Sequence, residues 1–516
     1  MKKDAGAILK LLVVCFLILS VAGSAQATPM LSGNVPLDSY VYDHLSKLDG
    51  LGLLRDMLPG VKPYNRLQVA GWVIEMEQTL GKQKNPSWLG KALLTDLRRE
   101  FATELSRLAT ANPVEKPGLK DWKFGLTYYN GDTARYPNGR GSWQPLNRNN
   151  QGYRWDHGMN AYGSVRWEGS MGPDAFVSLT PRVRWGENAD AGVNLQSGYL
   201  KLRSGDLEFF FGKDASSWGP GRMGNLLLSD NATSMTRFQI ATIEPLRYRG
   251  WLKYLGPIQA RVFLSILDDR EYWDGSQWRD HNNPGFYGIR LDLQPANNLS
   301  MGFAYTSMFG GDGIDMGTKD YFKVLFGKTN VASGDVANGN SGIDFRWRFP
   351  QFGGLQLYGG YYFEDHFAYN EANKTGALAG LYLPRLSSSG DWDLNVELAS
   401  TASPWYIHHL YPGGHTYGGQ MIGDAMGGNA NRYSMKLNHY LDSRTQIGVL
   451  LERVVQGATR PVSQRTNSVA LTMRHRLSDD LLMEVTGGWA SMDNAEFTSG
   501  LSRKYKFANM QLTHRF

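Results

Sequence analysis

The chain has 516 residues and a formal charge of +6, from 54 Lys and Arg against 48 Asp and Glu, an excess too small and too scattered to suit a nucleic-acid partner. Its one cysteine, Cys15, lies in an apolar leader, which excludes disulfides and thiolate chemistry from the remainder. Mean hydropathy is −0.38 and no run of about eighteen apolar residues follows the leader, which excludes a transmembrane helix but not a membrane β-barrel, whose strands show lipid only alternate residues.

Met1-Lys2-Lys3, an apolar stretch from Leu11 to Ala22 and Ala25-Gln26-Ala27 have the form of a secretory signal spanning 1–27. Its loss removes three Lys and one Asp, taking the formal charge from +6 to +4. Residues 28–111 are expected to form a small three-helix bundle on the periplasmic side. Val41, Leu45, Leu48, Leu51 and Leu54 recur at helical spacing, as do Leu67, Ala70, Val73, Ile74 and Leu80. A third helix is expected from Ser87 through Leu89, Leu93, Leu97, Phe101, Leu105 and Leu108. Asn112-Pro113 to Pro117-Gly118 is rich in breakers, making 112–121 a linker.

From 122 to 516 the pattern is strands and loops. Ile343, Phe345, Trp347 and Phe349 alternate with Asp344, Arg346 and Arg348; Pro350 to Gly354 turn; then Leu355, Leu357, Gly359, Tyr361 and Phe363 alternate again. Trp392, Leu394, Val396 and Leu398 alternate in the same way with Asp391, Asp393, Asn395 and Glu397. Placing a charge in mid-membrane costs about 2 to 4 kcal/mol, so the polar rows face a lumen. Nineteen candidate strands can be marked, the sixth starting near Arg247. Short and long connections alternate throughout only if Asp320 to Phe326 is not a spanning strand but a short helix or strap in a long outer loop. The expected fold is an all-β transmembrane barrel of about eighteen antiparallel strands behind the helical bundle, in the bacterial outer membrane and in contact with its lipids. The chain ends on Phe516, in line with Leu512, Met510 and Ala508, which suits a last barrel strand.

Several outer loops are longer than hairpin closure requires, and such loops commonly carry function. They hold Trp143, Tyr153, Trp155, Trp218, Trp273, Trp278, Trp405, Tyr406 and Tyr411, interleaved with Arg148, Arg222, Asn231 and Arg237. Aromatic faces that stack on sugars, beside donors for hydroxyls and carboxylates, make a candidate polysaccharide-binding set. The alternative is that these rings pack the loops over the barrel mouth or belong to its upper aromatic girdle. Inward charges such as Arg290, Asp292, Asp344, Arg346, Arg348 and Glu397 either line a selective pore, as in a porin, or form ion pairs within a plugged lumen. His408 and His409, near His415 and Asp424, are the one grouping that suggests ligands or a catalytic base, as in a barrel hydrolase. No HExxH, GxSxG or EF-hand spacing surrounds them, and Gly311-Asp312-Gly313-Ile314-Asp315 lacks a closing Glu. Neither an enzyme nor a metal or other cofactor is expected.

Two stretches resemble the Wzi capsule-assembly family. One is Val35-Pro36-Leu37-Asp38-Ser39-Tyr40-Val41-Tyr42 with Leu48-Asp49-Gly50-Leu51-Gly52 and Pro63-Tyr64-Asn65-Arg66-Leu67. The other, more specific, is Ser217-Trp218-Gly219-Pro220-Gly221 running on through Asn225 to Ala232. Lys62-Pro63 stands where the family usually has Arg-Pro, and Asp230 where it has Asn. The resemblance implies an eighteen-strand outer-membrane barrel with a periplasmic helical bundle, acting as a lectin that holds capsular or related surface polysaccharide. The bundle would then be free to meet capsule export machinery or peptidoglycan.

Overall fold

The computed structural model describes all residues except 1–28, 56, 138–140, 274–277, 326, 328–329, 332–333, 365–373 and 412. The expected signal segment lies outside the described residues. Among those described, eighteen antiparallel strands close a single barrel, each pairing with its neighbours in chain order. They are Gly118–Asn130 (β1), Gly158–Ser170 (β2), Ala175–Gly186 (β3), Ala189–Ser204 (β4), Leu207–Lys213 (β5), Thr236–Thr242 (β6), Ile258–Ile266 (β7), Gly285–Ala296 (β8) and Leu299–Phe309 (β9). The second half comprises Ala337–Phe349 (β10), Leu355–Glu364 (β11), Thr375–Leu383 (β12), Trp392–Thr401 (β13), Ala430–Tyr440 (β14), Thr445–Gln456 (β15), Gln464–Arg476 (β16), Leu481–Asp493 (β17) and Ser502–Arg515 (β18). The seam joins β1 to β18, with Asp121 opposite Arg515 and Tyr129 opposite Phe507.

Alternation sorts the side chains. On β10, Phe345 and Trp347 are exposed on the outside while Asp344 and Arg348 are buried within; on β13, Asp393, Asn395 and Glu397 are buried and Leu398 is exposed. Phe124, Val183, Leu264 and Leu471 continue the apolar exterior. Exposed Trp251, Tyr254, Phe352 and Phe516 ring the end with the short turns, and Tyr128, Trp185, Tyr433 and Trp489 lie toward the other. An apolar band between two aromatic girdles is the exterior of a barrel in lipid. Inside, Arg290 bridges Asp292 and Asp344 at 2.7 Å each, so these lumen charges are paired.

One strand departs from the sequence expectation, and one segment follows it. The sixth strand is Thr236–Thr242 and does not start near Arg247. Arg237 and Gln239 point inward and Phe238 outward opposite Phe211 and Leu264, whereas the alternating Leu246-Arg247-Tyr248-Arg249 leads into a 3-10 turn at Gly250–Leu255. Residues 243–257 thus make a longer connection between β6 and β7. The segment dropped from the strand count is a helix, α5 (Thr318–Leu325), on an outer loop.

The N-terminal part holds α1 (Val41–Gly50), α2 (Arg66–Gly81), α3 (Trp88–Glu100) and α4 (Ala102–Thr110). Asn65 caps α2 and Ser87 caps α3 through their side-chain oxygens. The single third helix expected from periodicity breaks at buried Phe101 (φ −108°, ψ 22°). Arg66 is the cause: it stacks on the Phe101 ring at 4.7 Å and donates to the Glu100 carbonyl at 2.7 Å, and its guanidinium also holds Glu100 and Glu104. These helices pack on the short-turn end of the barrel. Asp49 accepts from Arg346 (2.6 Å), Arg348 (2.9 Å) and Gln356 (2.7 Å), and Lys47 reaches the Pro384 carbonyl (2.5 Å) and Asp393 (3.4 Å).

Candidate functional site

A column of chain runs through the lumen from one end to the other. From the helical side, Val61–Lys62 enters and pairs as a short antiparallel ladder with Ser217–Trp218 of the β5–β6 loop, and Gly219 N–H donates to Gly60 O at 2.8 Å. The Ser217-Trp218-Gly219-Pro220-Gly221 segment turns here around Asn225, which accepts from Gly221 N–H (2.8 Å) and donates to Ser217 Oγ (2.9 Å). Gly219, at φ 129°, is required, because a Cβ there would meet Asn225 Oδ1 at 2.3 Å. The same loop then joins the loop between β13 and β14: Ser229 N–H donates to Ile422 O (2.8 Å), Asn231 Nδ2 to Met421 O (2.9 Å), and Tyr406 hydroxyl to Leu226 O. The β1–β2 loop closes over both, with Gln151 N–H donating to Asp230 O (2.7 Å), Tyr136 hydroxyl to Ala425 O (2.9 Å) and Arg154 to Gly419 O (2.9 Å).

This column absorbs most of the residues singled out from the sequence. Trp143, Tyr153, Trp155, Trp218, Trp405, Tyr406 and Tyr411 are all buried, in one apolar core with Leu226, Leu228, Met421 and Ile422. Their rings pack the loops into the barrel mouth, so no sugar ring can lie against them in this conformation. Arg148 pairs with Glu452, Arg222 lies 3.7 Å over the Tyr382 ring, and Arg237 donates to Asp214 O at 2.5 Å. With Asn231 on Met421, all four polar candidates are committed to partners inside the barrel. Trp273 and Trp278 face each other on a hairpin, Asp269–Trp273 with Trp278–Asn282, whose side chains lie outside those described. Burial pushes the Tyr406 and Tyr411 hydroxyls above their ordinary range, so both stay neutral donors. The Asp230 carboxyl is pushed up to about 7, because burial outweighs its own backbone hydrogen bond and nearby Lys62.

What the outer end offers to solvent is different chemistry. Arg460, on the β15–β16 loop, is exposed; it donates to Pro137 O and covers the Phe497 ring at 4.7 Å, tying together three loops. Phe497 and its neighbour Glu496 both sit in the left-handed region, at φ 59° and 54°, a strained turn that sets the ring beneath the guanidinium. Exposed Arg135, Arg465 and Lys504 and half-buried Arg154 and Arg503 stand on the same loops or at their strand ends, with Asp132, Asp493 and Glu496 as the acidic groups among them. Sequence reasoning missed Arg460 and Phe497, which lie on two short loops that hold no Trp or Tyr. The grouping of His408 and His409 with His415 and Asp424 also dissolves. His415 is buried against Phe286 and Tyr406, and Asp424 is held by Arg432 at 2.7 Å.

A closed eighteen-strand barrel with a lipid-facing exterior and a column of its own loops running through the lumen defines a plugged outer-membrane β-barrel protein. The chain belongs to the family of the capsule assembly protein Wzi, whose family model matches residues 139–506. Among solved structures it is similar to Wzi of Escherichia coli, described as an outer membrane protein involved in group 1 capsule assembly and a carbohydrate-binding β-barrel. The two share 18% sequence identity over 94% of this chain and 100% of that one, at a TM-score of 0.70. More distant are OccD3 of Pseudomonas aeruginosa (9% identity, 78% of this chain and 92% of that one, TM-score 0.45) and OccAB2 of Acinetobacter baumannii (10%, 77% and 98%, 0.45). No curated protein matches the chain.

Proposed function

We propose that this protein is a binding barrel without catalytic function, which holds a capsular or related surface polysaccharide at the outside of the outer membrane. The observation that carries the reading is the packed column: with the lumen filled, the outer rim is the surface left for a polymer. Membership of the capsule assembly family and the carbohydrate-binding E. coli relative support it. In this reading 1–27 is a signal peptide, 28–111 a periplasmic helical domain, and the linker expected over 112–121 runs into β1, which opens the barrel at Gly118 rather than at 122. The helical domain packs on the short-turn end, which in such barrels faces the periplasm, where export machinery or peptidoglycan would be within its reach.

The polymer contacts fall to exposed Arg135, Arg460 and Arg465 and to the edge of Phe497. The buried set of Trp143, Arg148, Tyr153, Trp155, Trp218, Arg222, Asn231, Arg237, Trp405, Tyr406 and Tyr411 holds the loops that present them, and the Trp273–Trp278 hairpin stands as a further candidate contact. Guanidinium groups beside an aromatic ring suit an acidic polysaccharide, with bidentate donation to its carboxylates. Binding of the detergent-folded protein to the surface polysaccharide of its host, at low and high salt, tests this. Saturable binding that weakens with salt and drops in an Arg135→Ala/Arg460→Ala variant is expected; no binding at either salt would overturn it.

A further inference from the structure

The loop histidines have a partner that their sequence neighbourhood does not reveal. His408 and His409 stand with Asp335, 73 positions earlier, and one ligand atom from each lies within 4.8 Å of the other two. His409 Nε2 is 3.4 Å from Asp335 Oδ2, and the two imidazoles are 4.3 Å apart between centroids. Backbone and side-chain contacts hold this meeting in place. Asp335 ends a small hairpin in which Asn330 pairs with Asp335 and Val331 with Gly334. The next carbonyl, Val336 O, accepts from the Tyr411 hydroxyl at 3.0 Å and from Gly310 N–H at 3.0 Å, which fastens the histidine loop to the hairpin. On the histidine side, Leu410 N–H points at His408 Nδ1 at 3.3 Å, a long contact that orients the ring.

We propose that Asp335, His408 and His409 bind a divalent transition metal of the zinc class. Two imidazoles and a carboxylate are a donor set zinc takes readily, with ligands at about 2.0–2.2 Å and hence about 3.4 Å from one another, a spacing the His409–Asp335 pair already has. His409 and Asp335 are open to solvent, with side-chain exposures of 65% and 35%. The ion would join the β9–β10 loop to the β13–β14 loop at the outer face and leave a coordination position to water. Copper and nickel would compete for the same ligands, whereas calcium and magnesium, which prefer all-oxygen shells, would not.

The test is zinc uptake by untagged, detergent-folded full-length protein at neutral pH, followed by equilibrium dialysis and metal analysis. One zinc per chain is expected. His408→Ala/His409→Ala should weaken uptake by about a hundredfold or more, while His157→Ala, at another exposed loop histidine, should leave it unchanged. Uptake should also fall on acidification, because protons compete with the metal for its ligands. Zinc should protect His409 of the unsubstituted chain from carbethoxylation, which reads the site without any substitution. No uptake at about 100 µM zinc, equal uptake by the double variant, or an unprotected His409 would each overturn the proposal.

Discussion

Glu397 shows how single residues make the lumen solid. It accepts from Arg432 (2.9 Å), Tyr358 hydroxyl (2.9 Å) and the backbone N–H groups of Arg222 (2.7 Å) and Met223 (3.2 Å), and Arg432 reaches on to Asp424 at 2.7 Å. Arg432→Met would leave two buried carboxylates facing each other, at a cost of about 3–5 kcal/mol, seen as a lower unfolding temperature of the detergent-folded barrel. Asp230 gives a pH-dependent counterpart. Its folded carboxyl titrates near 7 and an unfolded one near 4, so the folded chain holds the proton longer; its contribution falls as pH rises from about 4 to 7 and is lowest above. Asp230→Asn should therefore flatten the dependence of unfolding temperature on pH across that window and raise stability at pH 8. At this scale the sequence displays residue type but not direction. Trp218 and Trp405 carry the flat faces a sugar would need, yet both point into packed interior, because the loops that hold them turn inward.

Among the elements, α1 and the β10–β11 hairpin form the joint between helical domain and barrel. Asp49, at the end of α1, faces two arginines of β10, and Asp49→Ala would leave both guanidiniums uncompensated. Faster amide exchange in Val41–Gly50 and at Pro350–Gly354 is the expected outcome, with exchange in β3–β5, away from that joint, unchanged. The hairpin was legible because its alternation is clean and its turn carries Pro and two Gly. Strand β6 was misplaced because seven residues between long loops give a weak period-2 signal, and the nearby Leu246 to Arg249 copies it. Nor could periodicity show the break at Phe101, which is made by Arg66 from another helix.

Over the whole molecule, the strand count followed from requiring both barrel ends to keep their own kind of connection, a rule that topology enforces whatever the residues are. The filling of the lumen had no such rule behind it; it depends on loops meeting residue by residue, as Ser229 meets Ile422 and Lys62 meets Ser217. Planar bilayers containing the purified protein should show no single-channel conductance, and sustained openings would restore the porin alternative. The column also fixes the direction of traffic. A polymer chain cannot thread a barrel whose axis is occupied by its own backbone, so any strand found on the outer rim has left the cell by another route and been caught from outside.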